Sequence, residues 1–507
     1  MSEDISAADI SSHDVDRRSA VWPTILILVL ASLPILVVVR TMAARLLYPF
    51  DLEWIEGHML SMAARVAEGK ALYARPQVDY IPAPYFPLYF FVTGGLVKIF
   101  GVKYWVGRLL SIACTVGIGT LIYRIVRRES GNSLVAYACV AVFVSSYGLT
   151  RTWFDLVRVD MLAVFLLVLA YDQARPDRGL LHAAIPGILL ALSSLAKQNG
   201  ILFYPGIALV YLLVDWRKAA VFTAAFAGLF GGFCAIYNAA TDGWFWKYTF
   251  GLVQAVPMPV RLLTVHAKIF SNFPVAIFVV LAACFVLLSR RRFREFFGDK
   301  WLAFFGIAYV VSYYFRLPAG GARNALIPIC VGAAIAAGTS LPHIVRSLNL
   351  KLLPTIGKAG LLWILAAALA VQVVAQAQWY KYARPTAEQT AAAHRLVDML
   401  ENLDGTYYMP SNVVPMKNSL WVHHMSWVDL AKVKWGRQEL NRVRADFVKR
   451  KIPYFVTNKD RKVAAFLRQR VSDNYELKRR IPNSARVHAF SATKFTPWDI
   501  LKRKDIP

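Results

Sequence analysis

The chain is poor in charge: Asp, Glu, Lys and Arg make up 18% of its 507 residues, and the acidic ones are the scarcer, 31 against 58 basic. No ordinary soluble domain of this length is built so, which excludes water as the main solvent. Cysteine is also rare. Cys114, Cys139, Cys234, Cys284 and Cys330 all fall inside apolar stretches, without the close Cys or His spacing of a zinc site, and no disulfide framework constrains the loops. There is no Gly-rich phosphate turn to announce a nucleotide site, no internal repeat, and no small-residue cleavage site behind the first apolar run. That run therefore reads as a retained first span.

What is present is apolar: 57% of residues are hydrophobic and 13% aromatic, with a mean hydropathy of +0.44. A span needs about 20 apolar residues. Runs near 21–40, 105–126, 134–152, 160–172, 181–196, 200–214, 218–238, 273–289, 301–315, 324–345 and 358–378 predict an α-helical polytopic membrane protein of about eleven transmembrane helices. A twelfth run, 85–100, is opened by Pro82, Pro84 and Pro87. Lys and Arg mark the cytoplasmic ends of spans. The clusters at Arg17/Arg18, Arg124/Arg127/Arg128, Arg175/Arg178, Arg217/Lys218, Arg290 to Arg294 and Arg346/Lys351 alternate correctly only if 85–100 does not cross. This predicts three parts: a cytoplasmic segment 1–20, a membrane domain 21–378 whose residues 41–104 are a long first outer loop with an interfacial helix, and a soluble domain 379–507. An odd span count puts that last domain outside. It holds 25 Lys and Arg against 12 Asp and Glu, a balance suited to anionic headgroups or an acidic partner, or to a plain solvated surface. Its helix-like runs at 386–402, 437–450 and 460–472 alternate with strand-like runs at 407–410, 454–458 and 475–480, predicting a small α/β layer.

The chemistry-bearing residues gather at the ends of spans opposite the basic clusters. Asp51, Glu53, Glu56 and His58 open the first outer loop, with Asp51 read as the N-cap of a helix beginning at Leu52. Arg158 and Asp160 stand at the mouth of a later span, where ionisable groups pair with each other or act on substrate. Lys197-Gln198 and Arg323-Asn324 lie between further spans, as cations able to hold a phosphate diester or to snorkel to headgroups. Residues 241–272 add Trp244, Trp246, Tyr248, His266 and Lys268, suited to a sugar or to an interfacial aromatic belt.

The first-loop Asp51-Leu52-Glu53, the run Tyr85-Phe86-Pro87-Leu88-Tyr89, Gly107-Arg108-Leu109-Leu110-Ser111, Arg158-Val159-Asp160 and Lys197-Gln198 together resemble the GT-C class of membrane glycosyltransferases. The chain is similar in particular to the bacterial group of protein O-mannosyltransferases, lipid A aminoarabinose transferases and rhizobial galacturonosyltransferases. The resemblance implies a sugar donor carried on polyprenyl phosphate, a cell-envelope glycan, lipid or protein acceptor, membrane lipids as further partners, no nucleic acid, and a site on the outer face of the inner (cytoplasmic) membrane. It implies Asp51 as catalytic base and Asp160 as its partner. The relatives carry adjacent Asp-Glu where Leu52 intervenes here, so both Glu53 and Glu56 remain candidates for the second acidic role. Glu56, His58, Tyr85, Arg158, Lys197, Gln198, Arg323 and Asn324 are then the expected substrate-binding residues. No cofactor is required in this reading, although Asp51 and Glu53 offer the hard oxygens that a divalent cation (Mg or Mn) takes. The rival reading is a secondary transporter or lipid flippase, for which paired halves and midplane binding groups would be expected.

Overall fold

A computed structural model describes residues 19–252, 262–317, 322–347, 353–376, 384–409, 419–420, 424–458, 474–486 and 497–505. The helices are α1 (Val21–Leu46), α2 (Glu56–Ala67), α3 (Leu88–Phe100), α4 (Tyr104–Ser130), α5 (Ser133–Ser145), α6 (Asp160–Gln173), α7 (Ala184–Ala196), α8 (Tyr204–Leu212) and α9 (Trp216–Ala240). They continue with α10 (Leu262–Asn272), α11 (Pro274–Ser289), α12 (Phe293–Gly298), α13 (Lys300–Arg316), α14 (Ile327–Ser347) and α15 (Leu353–Gln376).

Each of the eleven apolar runs contains a helix. Among the described residues five helices are long and apolar enough to cross a membrane unaided, or six if the bent pair around Phe273 counts as one span. The others are shorter, so length and composition alone do not fix the number of crossings. Helix α3, with 13 residues, is about 20 Å long at 1.5 Å per residue, short of the ~30 Å hydrocarbon layer. Large apolar side chains exposed along α1, α9, α11 and α15, such as Leu36, Ile236, Phe278 and Val374, suit a surface solvated by lipid.

Local sequence sets the breaks. Gly131 ends α4 in the left-handed region, φ 69°, and Asn132 then caps α5 by accepting from the Leu134 and Val135 amides, so α4 and α5 pack as a hairpin. Asp299 caps α13 in the same way. Glycine is required where backbones touch. A Cβ on Gly107 would lie 2.6 Å from Val157, and one on Gly94 would lie 2.8 Å from Val66. The first contact lets the segment before α6 rest on α4; the second lets α2 and α3 meet.

Beyond the bundle lie α16 (Ala387–Glu401), α17 (His424–Lys432), α18 (Lys434–Lys449) and a five-stranded sheet. Its order is β2-β1-β3-β5-β4, with β1 Tyr407–Tyr408, β2 Ser419–Leu420, β3 Tyr454–Asn458, β4 Tyr475–Arg480 and β5 Pro497–Arg503. β1, β2 and β3 run parallel; β5 is antiparallel to both β3 and β4. The expected α/β layer is present. Strands β2 and β5 and helix α17 are additions to it, while the expected helix at 460–472 lies outside the described residues.

Candidate functional site

Two loops, those following α1 and α5, are held together by buried ion pairs. Glu56, the first residue of α2, is fully buried and accepts from Arg108 Nε at 3.1 Å and Nη2 at 2.9 Å. It also accepts from the Leu52 amide at 2.6 Å and the Val157 amide at 2.8 Å. Arg108 in turn donates to the carbonyls of Arg45, Tyr48 and Phe50 at 3.1, 2.5 and 2.6 Å. One pair thus fixes the end of α1, the first loop and the segment before α6. A second pair, Arg45 with Asp155 at 2.8 Å, is joined by the Tyr147 hydroxyl at 3.0 Å. Arg45 also grips Thr152 through its hydroxyl at 2.8 Å and its carbonyl at 3.2 Å. Thr152 and Arg151 both sit in the left-handed region, φ 59° and 55°, a conformation that persists only when its surroundings over-determine it.

On this frame the predicted residues assemble in a row. Asp51 does not cap a helix at Leu52: α2 starts at Glu56, because the Glu56 carboxylate bonds the Leu52 amide and holds 51–55 as a turn. Asp51 still caps at longer reach, its Oδ1 accepting from the Gly57 amide at 2.9 Å and the Tyr104 hydroxyl at 2.7 Å. Its Oδ2 has no hydrogen bond among the described residues, and the residue is only half-buried. Next comes Glu53, fully buried, with Oε2 3.7 Å from Arg158 Nη1 and Oε1 without a hydrogen-bond partner among the described residues. Arg158 lies between this carboxylate and Asp160, whose Oδ2 is 3.7 Å from its Nε. It donates to the Tyr85 hydroxyl at 2.7 Å and lies over the Trp153 ring, while its Nε and Nη1 make no hydrogen bond among the described residues. Asp160 Oδ1 accepts from Lys197 Nζ at 2.6 Å and Asn324 Nδ2 at 2.9 Å. Gln198 donates to the Pro84 carbonyl at 3.0 Å and keeps Oε1 unpartnered.

Asp51, Glu53, Tyr85, Arg158, Asp160, Lys197, Gln198 and Asn324 are therefore brought together from five separate stretches of chain. Glu56 differs from the expectation that it binds substrate: both its oxygens are spent inside the protein, which suits holding the loop. His58 faces inward, its Nε2 3.5 Å from Ser426 Oγ of α17. Arg323 donates to the Leu149 carbonyl at 3.4 Å and lies within electrostatic reach of Arg151 and Arg316, to one side of the row.

Burial governs protonation here. It pushes the Asp51 carboxyl well above its usual range, against the bonds from Tyr104 and Gly57. It pushes Glu53 up to about 8 although Arg158 opposes the shift. His58 is driven down to about 3 by burial and by the Arg158 charge, so it is neutral.

Sequence reasoning assigned no role to Arg108, Tyr104 or the Arg45–Asp155 pair. The available signal was an arginine within an apolar helix, which must find a buried partner. For a divalent cation the fit is poor. Among the described residues no three His, Cys, Asp or Glu side chains group together, and the Arg158 guanidinium occupies the space between Glu53 and Asp160.

The arrangement of membrane helices with an appended sheet is similar in fold to solved membrane glycosyltransferases of the GT-C class. Residues 82–240 match the family model described as dolichyl-phosphate-mannose-protein mannosyltransferase. The crystal structure of ArnT from Cupriavidus metallidurans in the apo state superposes with a TM-score of 0.59 at 12% identity, covering 94% of this chain and 97% of that one. The same protein bound to undecaprenyl phosphate gives 0.57 at the same identity and coverage. The archaeal oligosaccharyltransferase AglB from Archaeoglobus fulgidus is more distant, at 0.46 and 14% identity over 87% of this chain and 70% of that one. No curated protein matches the chain in a sequence search.

Proposed function

We propose that the protein is a membrane glycosyltransferase that moves a hexosyl or pentosyl group from a polyprenyl-phosphate-linked donor to a glycan, lipid or protein acceptor of the cell envelope. The observation that carries this reading is the set of unspent polar atoms buried side by side: Arg158 Nε and Nη1, Glu53 Oε1 and Asp160 Oδ2. A buried polar group left unpaired costs about 1–3 kcal/mol, and a phosphate diester next to a hydroxyl-bearing sugar would satisfy donors and acceptors together. The match to the mannosyltransferase family model and the undecaprenyl phosphate held by ArnT point the same way.

In the reaction, the acceptor hydroxyl oxygen bonds to the anomeric carbon as the bond from that carbon to the phosphate oxygen breaks. The lipid phosphate leaves with the electron pair. Asp51, with its free Oδ2 and raised proton affinity, takes the hydroxyl proton. Arg158 and Lys197 stabilise the departing phosphate, and Asp160 keeps Lys197 in place. Turnover is expected to need no metal, because a guanidinium already supplies the cation between the two carboxylates. The basic loops and the row of site residues lie at opposite ends of α6, which supports a site on the outer face of the inner membrane and a soluble domain on the same side.

The test is sugar transfer by purified protein in nanodiscs, with a panel of undecaprenyl-phosphate-linked sugars and an extract of envelope acceptors. Release of undecaprenyl phosphate and its loss in Asp51→Asn, with undecaprenyl phosphate binding retained, are expected. Equal release by Asp51→Asn would remove the proposed base, and no release with any donor would remove the enzyme reading.

A further inference from the structure

At the opposite end of α6 from Asp160, about 18 Å away along the helix axis, lies a cavity of about 510 Å³. Arg128, Arg175, Arg294, Lys300, Trp301 and His343 contribute to its wall, drawn from the ends of helices that the sequence keeps far apart and from the loop after α6. Four carboxylates line it too, and each already has a partner. Glu129 is 3.1 Å from Arg128, Asp177 is 3.9 Å from Arg178, Glu295 is 2.5 Å from Arg292, and Asp299 is 3.4 Å from His343. Asp172, behind the wall, is shared by Arg128 at 2.8 Å and Arg175 at 3.8 Å.

The surplus is in donors. Lys300 Nζ spends two of its three N–H groups on the carbonyls of Asp172, at 3.3 Å, and Ala174, at 2.8 Å. It has no carboxylate within 4 Å among the described residues, and it lies in the field of Arg128 and Arg175 on one side and of Asp172 and Glu129 on the other. Trp301 is 3% exposed, and its Nε1 has no hydrogen-bond partner among the described residues. His343 faces Asp299 through Nε2, which leaves its buried Nδ1, an acceptor in the neutral ring, without a partner among the described residues. Arg294, exposed, makes no ion pair among the described residues. A cavity whose acids are all paired, and whose Arg128 and Arg175 are paired too, while Arg294, Lys300 and the Trp301 indole keep donors to spare, suits a ligand rich in acceptors and carrying negative charge.

We propose that this cavity is a binding site for a phosphate group, carried on a phospholipid headgroup or free in solution. The flanking Phe293 and Phe297, both half-exposed on α12 beside Arg294, would rest in the acyl region if the headgroup is the source. This site is independent of the transfer reaction and does not rest on that reading.

The experiment uses the full-length protein in dodecyl maltoside, with binding followed by native mass spectrometry and by thermal shift. Dioleoyl phosphatidylglycerol, dioleoylglycerol and inorganic phosphate are the probes. Phosphatidylglycerol is expected to bind and raise the melting temperature, and dioleoylglycerol to do neither. Arg294→Gln, at an exposed side chain that the fold does not use, should weaken phosphate-dependent binding about tenfold, and Arg294→Gln with Lys300→Gln further. Arg217→Gln, a basic change outside the wall, should leave it unchanged. Competition by millimolar phosphate identifies the free ion as a ligand; binding of the lipid without such competition identifies the headgroup, and both outcomes support the site. The proposal is overturned if Arg294→Gln and the double variant bind every probe as the parent does. It is equally overturned if phosphatidylglycerol binds no better than dioleoylglycerol and phosphate produces no shift.

Discussion

Arg158 has five N–H groups and, among the described residues, a hydrogen bond for only one of its nitrogens, at Tyr85, while two carboxylates stand 3.7 Å away, beyond hydrogen-bond range. A planar fork held open in this way matches two phosphate oxygens, and lysine, a point charge on a flexible stem, does not reproduce it. Arg158→Lys is therefore expected to lower kcat/KM for the lipid-linked donor about a hundredfold or more, roughly 2.7 kcal/mol of transition-state stabilisation. The melting temperature should stay close to that of the parent. Glu53 gives a pH prediction. Its folded-state value of about 8 lies above the ordinary carboxyl value of 4.5, so the folded protein holds a proton that the unfolded chain has released across that window. Stability is then full below about pH 4.5 and falls as pH rises toward 8. Melting curves of Glu53→Gln from pH 5 to 8 should decline less steeply than those of the parent. Asp51, Glu53, Arg158, Asp160, Lys197 and Asn324 were legible as candidates because polar side chains at the ends of apolar runs are expensive and few. Tyr104 and Arg108 were not, since their partners lie roughly fifty residues away and only the packing of α4 on the first loop joins them.

The elements are tied by interactions that do not tolerate being half-removed. Glu56 and Arg108 are both fully buried, and removing one charge strands the other, which costs about 3–5 kcal/mol. Glu56→Gln and Arg108→Met are each expected to lower the melting temperature strongly. Replacing both with apolar residues should not restore it, because the amides of Leu52 and Val157 and the carbonyls of Tyr48 and Phe50 would lose their partners as well. Recovery of parental stability in Glu56→Leu with Arg108→Met would show that the pair does not organise these loops. The α2–α3 contact gives a simpler case: Gly94→Ala drives a Cβ into Val66, an overpacking of about 1–3 kcal/mol that thermal unfolding would register. At this scale the sequence was readable wherever apolar runs were long, and a helix formed in each of the eleven. It was less readable in the small domain. There β1 and β2 have two residues each, too few for an alternation to show, and β5 is broken by polar residues that its antiparallel neighbours accommodate.

For the molecule as a whole, the small domain is docked on the first loop largely by charge. Arg75 forks onto Glu439 of α18 at 2.9 and 3.0 Å, Arg450 lies 3.4 Å from Asp79, and Arg442 donates to the Pro76 carbonyl. The Trp435 ring, 5.9 Å from both Trp244 and Tyr248, adds an aromatic contact. Glu439→Arg is expected to loosen this interface, seen as faster hydrogen exchange in residues 70–81, and the reversed pair Arg75→Glu with Glu439→Arg should restore protection. Sidedness is the remaining property of the whole chain, and loop charge alone argued for it. Glu53 is too buried to report on it. Lys70, exposed in the first loop, and Arg178, exposed between α6 and α7, are suitable reporters because four of the five native cysteines are buried and the fifth, Cys284, is partly so. In a background with Cys284→Ser, a membrane-impermeant maleimide should label Lys70→Cys in intact cells and Arg178→Cys only after permeabilisation. The reverse pattern would put Asp51 and its neighbours on the cytoplasmic side, where an acceptor of the outer envelope could not meet them.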